Sequence, residues 1–211
     1  MRAVIFDRDG VILDSELTNI RAAEAAFQKL DIEIQPNERA WVIGRHPADY
    51  VKLFQEKYDF SQEEFERLTG VYYYELLAET PFFDGVVLLV KQLRDAGISL
   101  ALTTSSDRNS TENILKSGEL DGVFDVIVTR EDCGKRKPDP EPYRVTAERL
   151  AVEPSECVVI EDTSLGVESA KQAGMKCIAV PNEYTKDMDF TQADLVVGSA
   201  ENIDLKLLQN L

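Results

Sequence analysis

The stretch Ala3–Gly10, "AVIFDRDG", sets a short apolar segment directly against three charged residues. Its first half is apolar and rich in β-branched residues without polar alternation, which is typical of a strand buried on both faces of a parallel sheet. Its second half places Asp7 and Asp9 two residues apart. Ligands of open parallel sheets bind outside the carboxyl ends of the strands, so these carboxylates fall where a functional site is expected.

Five further segments have strand character, the last of them weaker than the others. They are Ile98–Thr104, Val123–Thr129, Cys157–Asp162, Lys176–Val180 and Ala193–Gly198. Helix-period stretches lie between them, at Gly85–Ala96, Asp107–Lys116, Glu141–Leu150 and Ser164–Ala173. Strands that alternate with helices of this length indicate right-handed crossovers. The predicted fold class is therefore α/β, with a doubly wound parallel sheet.

Residues 15–80 interrupt this alternation, because they carry helical patterns without a convincing strand. We therefore expect an α/β catalytic core from residues 1–14 and 81–211, and an inserted all-helical cap domain at 15–80. Caps of this kind exclude water from a reaction. The sequence "SQEE" predicts a capping box at the start of one of these helices, in which Ser61 and Glu64 each bond the other's backbone N–H.

The composition argues against several classes of partner. The net charge is −16 and the 23 Lys and Arg residues are scattered, which is unlike a nucleic-acid or anionic-membrane surface. No apolar run approaches the roughly 20 residues of a membrane span, and the first one is too short for a signal peptide. Three cysteines without paired spacing favour reduced thiols. We expect a cytoplasmic monomer without nucleic-acid or membrane partners.

Chemically active side chains lie at or just after the ends of four of the predicted strands. Besides the two aspartates of the first strand, they are Thr103, Thr104 and Ser105, then Lys135 and Lys137, then Glu161 and Asp162. Carboxylates gathered at one edge would repel one another strongly unless a cation lay among them. Mg²⁺ prefers oxygen ligands of this kind, so the sequence predicts a magnesium site.

Four motifs in this order resemble those of the haloacid dehalogenase superfamily of phosphotransferases. They are "DRDGVILDSE" from Asp7, "TTSS" from Thr103, "GKRKPDPEPY" from Gly134 and "VVIEDTSLGVESAKQAGMKCIAV" from Val158. The resemblance covers essentially the whole chain and is to the branch with a helical cap that includes β-phosphoglucomutase. It implies phosphoryl transfer with Mg²⁺ as cofactor.

The resemblance also implies a role for each matching residue. Asp7 would attack phosphorus as the nucleophile, and Asp9 would act as general acid and then general base. Thr104 and Lys137 would hold the phosphoryl oxygens, with backbone N–H groups near Ser105 adding to them. The implied metal ligands are the Asp7 carboxylate, the Asp9 backbone carbonyl, the Asp162 carboxylate and Glu161, the last directly or through water.

Three further residues are predicted to contact the substrate. Arg8 occupies a position that is usually apolar in similar proteins, so we expect it to bind an anionic part of the substrate; the alternative is a salt bridge to the cap or to Glu16. Arg45 and His46 lie in "WVIGRHPADY", the expected specificity loop of the cap. For His46, the alternative is a surface or packing role.

Two departures from the mutases of this branch decide the predicted reaction. Asn19 stands where those mutases have a hinge histidine, and Tyr72 stands where they have a cap lysine. Transfer of the phosphoryl group to water is therefore favoured over transfer to a sugar. The prediction is a Mg²⁺-dependent phosphatase acting on a small phosphorylated metabolite, such as a sugar phosphate, through an aspartyl phosphate. The alternative is a phosphomutase of the β-phosphoglucomutase type.

Overall fold

The computed structural model describes residues 1–43, 47–83 and 85–211. The chain divides into two compact units. The first combines Met1–Leu13 with Phe82–Leu211, and the second is Asp14–Pro81.

The first unit contains a six-stranded parallel sheet, as the sequence predicted. Its strands are β1 (Ala3–Phe6), β2 (Ser99–Thr103), β3 (Val126–Val128), β4 (Cys157–Glu161), β5 (Lys176–Ala179) and β6 (Leu195–Val196). Their order across the sheet is β3-β2-β1-β4-β5-β6, and all neighbours are parallel. Phe6 of β1 pairs with Leu102 of β2 and with Ile160 of β4. The residues that follow these three central strands therefore emerge side by side.

The described residues form eight α-helices. In the second unit they are α1 (Ser15–Lys29), α2 (Pro47–Gln55) and α3 (Gln62–Leu77), and in the first unit α4 (Val86–Asp95), α5 (Arg108–Ser117), α6 (Glu141–Leu150), α7 (Ser164–Gln172) and α8 (Leu205–Asn210). Within the described segments, no helix is long and apolar enough to cross a membrane.

Strand β1 has an apolar sequence because both of its faces are covered. All four of its residues are fully buried. Successive side chains point to opposite faces of a sheet, so a strand covered on both sides needs no polar alternation. Ala3 and Ile5 pack in a cluster with Tyr143 of α6 and Val167 of α7. Cys157 and Cys177 lie in the same cluster as free thiols, as expected of core cysteines.

Two local expectations differ from the structure. Strand β3 begins at Val126 rather than Val123, because the preceding residues form a turn in which Gly122 has a φ of +67° and Val123 N–H donates to the carbonyl of Leu120. In α3, Ser61 accepts from the backbone N–H of Glu64 at 3.3 Å, but the Glu64 carboxylate binds Arg67 at 2.7 and 2.8 Å. Half of the predicted capping box is therefore present.

The second unit is built around aromatic side chains. Helices α1 and α3 pack together, and Phe27 of α1 lies 4.4 Å in ring-centroid distance from both Phe54 of α2 and Phe65 of α3. All three rings are fully buried. Burial of a phenylalanine stabilises a fold by about 1.5–3 kcal/mol, so this cluster accounts for much of the cohesion of so small a unit.

Asp132 ties together three segments of the first unit. Its carboxylate accepts from the backbone N–H of Thr129 at 2.7 Å, from Arg108 of α5 at 2.6 Å and from Arg149 of α6 at 2.8 Å. Burial alone would raise the pKa of Asp132, but the hydrogen bonds from Thr129 and Arg149 prevail and lower it to about 2. The folded state therefore favours the ionised carboxylate.

We predict that Asp132→Asn lowers the free energy of unfolding by about 1 kcal/mol at neutral pH, since charge-assisted hydrogen bonds are lost. Because the folded pKa lies below the ordinary value of 3.8, the stabilisation is present above that value and disappears as the pH falls towards 2. Urea unfolding at several pH values measures this. If the free energies of unfolding of Asp132→Asn and the unaltered protein differ by the same amount down to pH 2, the stabilising role of the Asp132 carboxylate is contradicted.

Candidate active site

Asp7 and Lys137 form the centre of a buried charge cluster. Asp7 continues the line of β1, because its N–H donates to the carbonyl of Ile160 at 3.0 Å. The Nζ atom of Lys137 donates to Asp7 Oδ1 at 2.5 Å and to Glu161 Oε1 at 2.6 Å. The lysine thus bridges two of the carboxylates predicted for the site. Lys135 instead pairs with Asp139 and has an exposed side chain.

Three buried carboxylates form a possible metal site. Asp7, Glu161 and Asp162 each offer an oxygen, and these oxygens all lie within 4.8 Å of one another. Asp162 Oδ2 accepts from Asn182 Nδ2 at 2.9 Å, whereas Oδ1 is buried without a hydrogen-bond partner among the described residues. An unpartnered buried carboxylate oxygen is costly unless a cation accompanies it. The donors are all hard oxygens, so the residues present fit Mg²⁺.

Glu161 is held in place by donors that sequence reasoning missed. Its Oε2 accepts from the N–H of Asp162 at 3.0 Å and from the N–H and hydroxyl of Thr163 at 3.2 and 3.1 Å. The hydroxyl of Tyr143 donates to Oε1 at 2.8 Å, and its ring lies 4.8 Å from Lys137 Nζ. Tyr143 and Thr163 both lie in the quoted motifs, but nothing in a motif reveals where a side chain points.

The charges of this cluster follow from burial. Burial raises the pKa of Asp7 to about 7, although the nearby Lys137 acts in the opposite direction. Burial, and then repulsion from Glu161, raises the pKa of Asp162 well above its ordinary value. Burial would also raise the pKa of Glu161, but attraction to Lys137 lowers it. Glu161 is therefore the ionised partner of the lysine, whereas burial disfavours the charged forms of Asp7 and Asp162.

The side chain of Asp9 contacts residues that follow β2. Its Oδ2 accepts from the hydroxyl of Thr104 at 3.2 Å and from that of Ser106 at 2.8 Å. Thr103 turns the other way and bonds Thr146 in the core at 2.6 Å, because neighbouring strand residues face opposite sides. Ser105 is exposed, and its part in substrate binding stays a prediction.

Arg8 is the largest fully buried side chain in the described part of the chain. Its guanidinium donates to both carboxylate oxygens of Asp9, at 3.0 and 2.9 Å, and to the hydroxyls of Ser110 and Thr111, both at 3.0 Å. The sequence indicated a substrate contact or a salt bridge to the cap or Glu16 and did not foresee these bonds. Substrate binding by Arg8 stays a prediction. Arg45 and His46 lie outside the described residues.

A model of the haloacid dehalogenase-like hydrolase family matches residues 4–180. The chain belongs to this family. A Thermotoga maritima protein named phosphorylated carbohydrates phosphatase is 33% identical to the hydrolase over 184 residues, covering 84% of each chain. The β-phosphoglucomutase of Bacillus subtilis is 32% identical over 218 residues, covering 99% of the hydrolase and 94% of the relative.

Solved structures show the same fold. The crystal structure of CbbY from Rhodobacter sphaeroides in complex with phosphate matches the hydrolase with a TM-score of 0.85 and 26% identity, covering 99% of both chains. Family and fold predicted from the four motifs are therefore confirmed.

Gly10 allows the chain to approach Asp162 closely, and this contact is testable. Gly10 has a φ of +83°, and a Cβ placed there would lie 2.0 Å from Asp162 Oδ2. We predict that Gly10→Ala displaces the Asp162 carboxylate and raises the Mg²⁺ concentration needed for half-maximal activity by at least about tenfold, a cost of about 1.4 kcal/mol or more.

Gly97→Ala is the matched control for Gly10→Ala. Gly97 also has a positive φ, +74°, but a Cβ there would meet nothing within 4 Å. Both variants carry the left-handed backbone penalty of about 1–2 kcal/mol, so only the collision with Asp162 differs. An equal effect of both substitutions on Mg²⁺ dependence would contradict a role for this contact.

The raised pKa of Asp7 predicts how Mg²⁺ and pH act together on stability. The folded pKa of about 7 exceeds the unfolded value of 3.8, so without metal this group stabilises the fold at low pH and loses that effect as the pH rises through 7. Mg²⁺ must displace protons from the carboxylates in order to bind. We therefore expect the rise in Tm that Mg²⁺ causes to become larger between about pH 6 and pH 8. Thermal unfolding with Mg²⁺ or with a chelator measures this. A Tm increase independent of pH would contradict it.

Proposed function

We propose that this hydrolase is a Mg²⁺-dependent phosphatase that acts on a small phosphorylated metabolite, such as a sugar phosphate or a related organic phosphate, through an aspartyl phosphate. The observation that carries the proposal is the contact of Asp7 with Lys137 inside a buried carboxylate cluster. A carboxylate beside a fixed cation is suited to attack a phosphoryl group and to tolerate its negative charge.

In the proposed first step, an Asp7 oxygen forms a bond to phosphorus while the bond from phosphorus to the substrate oxygen breaks. Asp9 gives its proton to the departing oxygen. In the second step, Asp9 takes a proton from water, the water oxygen bonds to phosphorus, and the Asp7–phosphorus bond breaks to release phosphate. Asp9 stands two residues beyond the nucleophile, bonded to Thr104 and Ser106, which supports this division of roles.

Lys137 and Thr104 are proposed to hold the phosphoryl oxygens, together with backbone N–H groups near Ser105. Lys137 is suited to this because its pKa is raised: burial alone would lower it, but Asp7 and Glu161 hold the proton on the amine. Asp7, Glu161, Asp162 and the Asp9 carbonyl would hold Mg²⁺. When bound, the ion would neutralise charge on the phosphoryl group.

The relatives support the substrate class. One is named for phosphatase activity on phosphorylated carbohydrates, and the CbbY structure contains bound phosphate. Assignment of residues 15–80 as a cap domain, substrate selection by Arg45 and His46, and a monomeric state are further parts of the proposal.

The second candidate is a phosphomutase, which the identity to β-phosphoglucomutase favours. Asn19 and Tyr72 stand where the resemblance to the mutases leads one to expect a histidine and a lysine, and this supports the phosphatase. An assay with a sugar monophosphate and a sugar bisphosphate primer separates the two. Net release of phosphate supports a phosphatase, and isomerisation without release supports a mutase.

A screen of phosphorylated metabolites, with and without Mg²⁺, tests the main proposal. We expect phosphate release that depends on Mg²⁺ and is strongest with one group of sugar or organic phosphates. Absence of Mg²⁺-dependent release from every substrate, including 4-nitrophenyl phosphate, would overturn it.

We predict that Asp7→Asn abolishes turnover and labelling by a phosphate mimic such as beryllium fluoride, because the amide is a poor nucleophile. The fall in kcat should reach at least about 10⁴-fold, as is usual when a nucleophile is removed. Asp95→Asn, at the exposed end of α4, makes the same charge change away from the cluster and should keep full activity. Normal turnover by Asp7→Asn would remove Asp7 from the nucleophile role.

A further inference from the structure

The guanidinium of Arg8 makes a two-point contact with the Asp9 carboxylate. Nε donates to Oδ2 at 3.0 Å and Nη2 donates to Oδ1 at 2.9 Å. Two parallel hydrogen bonds between planar groups fix the plane and the rotation of the carboxylate, which a single bond does not. Nη2 also donates to the hydroxyl of Ser106 at 2.6 Å, and Ser106 in turn donates to Asp9 Oδ2.

The other side of the guanidinium is anchored to the first turn of α5. Nη1 donates to the hydroxyls of Ser110 and Thr111, both at 3.0 Å. These hydroxyls donate their own protons to Asp107, the N-cap residue, so their lone pairs face Arg8. The first turn of α5 therefore presents hydrogen-bond acceptors to the guanidinium, which can only donate.

The energetics of this placement make Arg8 and Asp9 dependent on each other. Arg8 is completely buried, and a buried cation needs a close counterion. It also lies at the N-terminal end of a helix, where the helix dipole disfavours positive charge. In its ionised form Asp9 supplies the compensating charge at hydrogen-bond distance, and its own side chain keeps 31% exposure. One end of the pair is thus enclosed in protein and the other reaches solvent.

We infer that Arg8 is a positioning residue that holds the Asp9 carboxyl group in the orientation required for proton transfer to and from the oxygen atoms at phosphorus. This inference rests on the proposed function, in which Asp9 is the general acid and base. Arg8 itself takes no part in bond making: the proton travels between Asp9 and the leaving or entering oxygen, and the guanidinium keeps all of its protons.

Positioning of an acid has a signature that a general structural defect lacks. Phenyl phosphate releases a basic phenolate, whose departure depends on protonation, whereas 4-nitrophenyl phosphate releases a much weaker base that leaves without help. The value of kcat/KM reports the steps up to departure of this group. A misplaced acid therefore slows the hydrolysis of phenyl phosphate far more than that of 4-nitrophenyl phosphate. Loss of folded protein slows both reactions equally.

The test compares Arg8→Met with the unaltered protein on both substrates in the presence of Mg²⁺. We expect kcat/KM to fall about 100-fold for phenyl phosphate and by no more than about 5-fold for 4-nitrophenyl phosphate, as for loss of general acid catalysis. Arg8→Lys keeps the charge but lacks the two-point contact, so it should show the same difference between substrates. Arg149→Met, which breaks an ion pair with Asp132, is the control and should affect both substrates equally.

A second variant covers the case in which Arg8→Met does not fold. The double substitution Ser110→Ala with Thr111→Val removes the anchor of Arg8 without touching Asp9, and should give a smaller loss with the same substrate dependence. Ser117→Ala removes a hydroxyl at the other end of α5 and should change neither rate.

Equal losses on both substrates, no loss, a gain in activity, or full recovery by Arg8→Lys would each overturn the inference. A loss seen only as a raised KM would assign Arg8 to substrate contact instead. No Mg²⁺-dependent hydrolysis by the unaltered protein would be a failure of the proposed function, and is thereby distinct from a failure of the inference.

Discussion

The repulsion among three buried carboxylates is the constraint on which the rest of the site depends. Parallel pairing of β1 with β4 delivers Asp7 and Glu161 to neighbouring strand ends, and the chain continues directly into Asp162. Lys137 offsets part of the negative charge, and burial, with repulsion from Glu161 adding to it, raises the pKa values of Asp7 and Asp162. Three carboxylate oxygens this close together suit a divalent cation.

Around this cluster, the surrounding residues act mainly by fixing orientations. Glu161 is held by Tyr143 and Thr163, Asp162 by Asn182, and Asp9 by Arg8. Tyr143 comes from α6 and Asn182 from the segment after β5, so their contacts with Glu161 and Asp162 form only in the folded unit. Charged groups held in advance need no reorganisation when charge moves, which is the main source of electrostatic catalysis.

The sequence predicted the order of elements well, and it predicted that carboxylates from β1 and β4 come together, because both follow from local patterns. An apolar run such as Ala3–Phe6 fixes a buried strand, and residues after parallel strands must meet at one edge. The pattern could not show that Ser106 meets Asp9, since this depends on the path of the chain after β2. Nor could it place Arg8, because burial of an arginine requires partners about a hundred residues away, on α5.

The points at which the chain leaves and re-enters the first unit are paired with each other through backbone hydrogen bonds. Leu13 and Phe82 form an antiparallel bridge, and Phe83 N–H donates to the carbonyl of Ile12 at 3.0 Å. In the other unit, Asp14 N–H donates to the carbonyl of Pro81, also at 3.0 Å. The residues from Asp14 to Pro81 are therefore inserted between two paired positions of the first unit. A junction of this kind constrains only the two ends of the inserted segment, so substitutions inside that segment leave the backbone pairing of Leu13 with Phe82 in place.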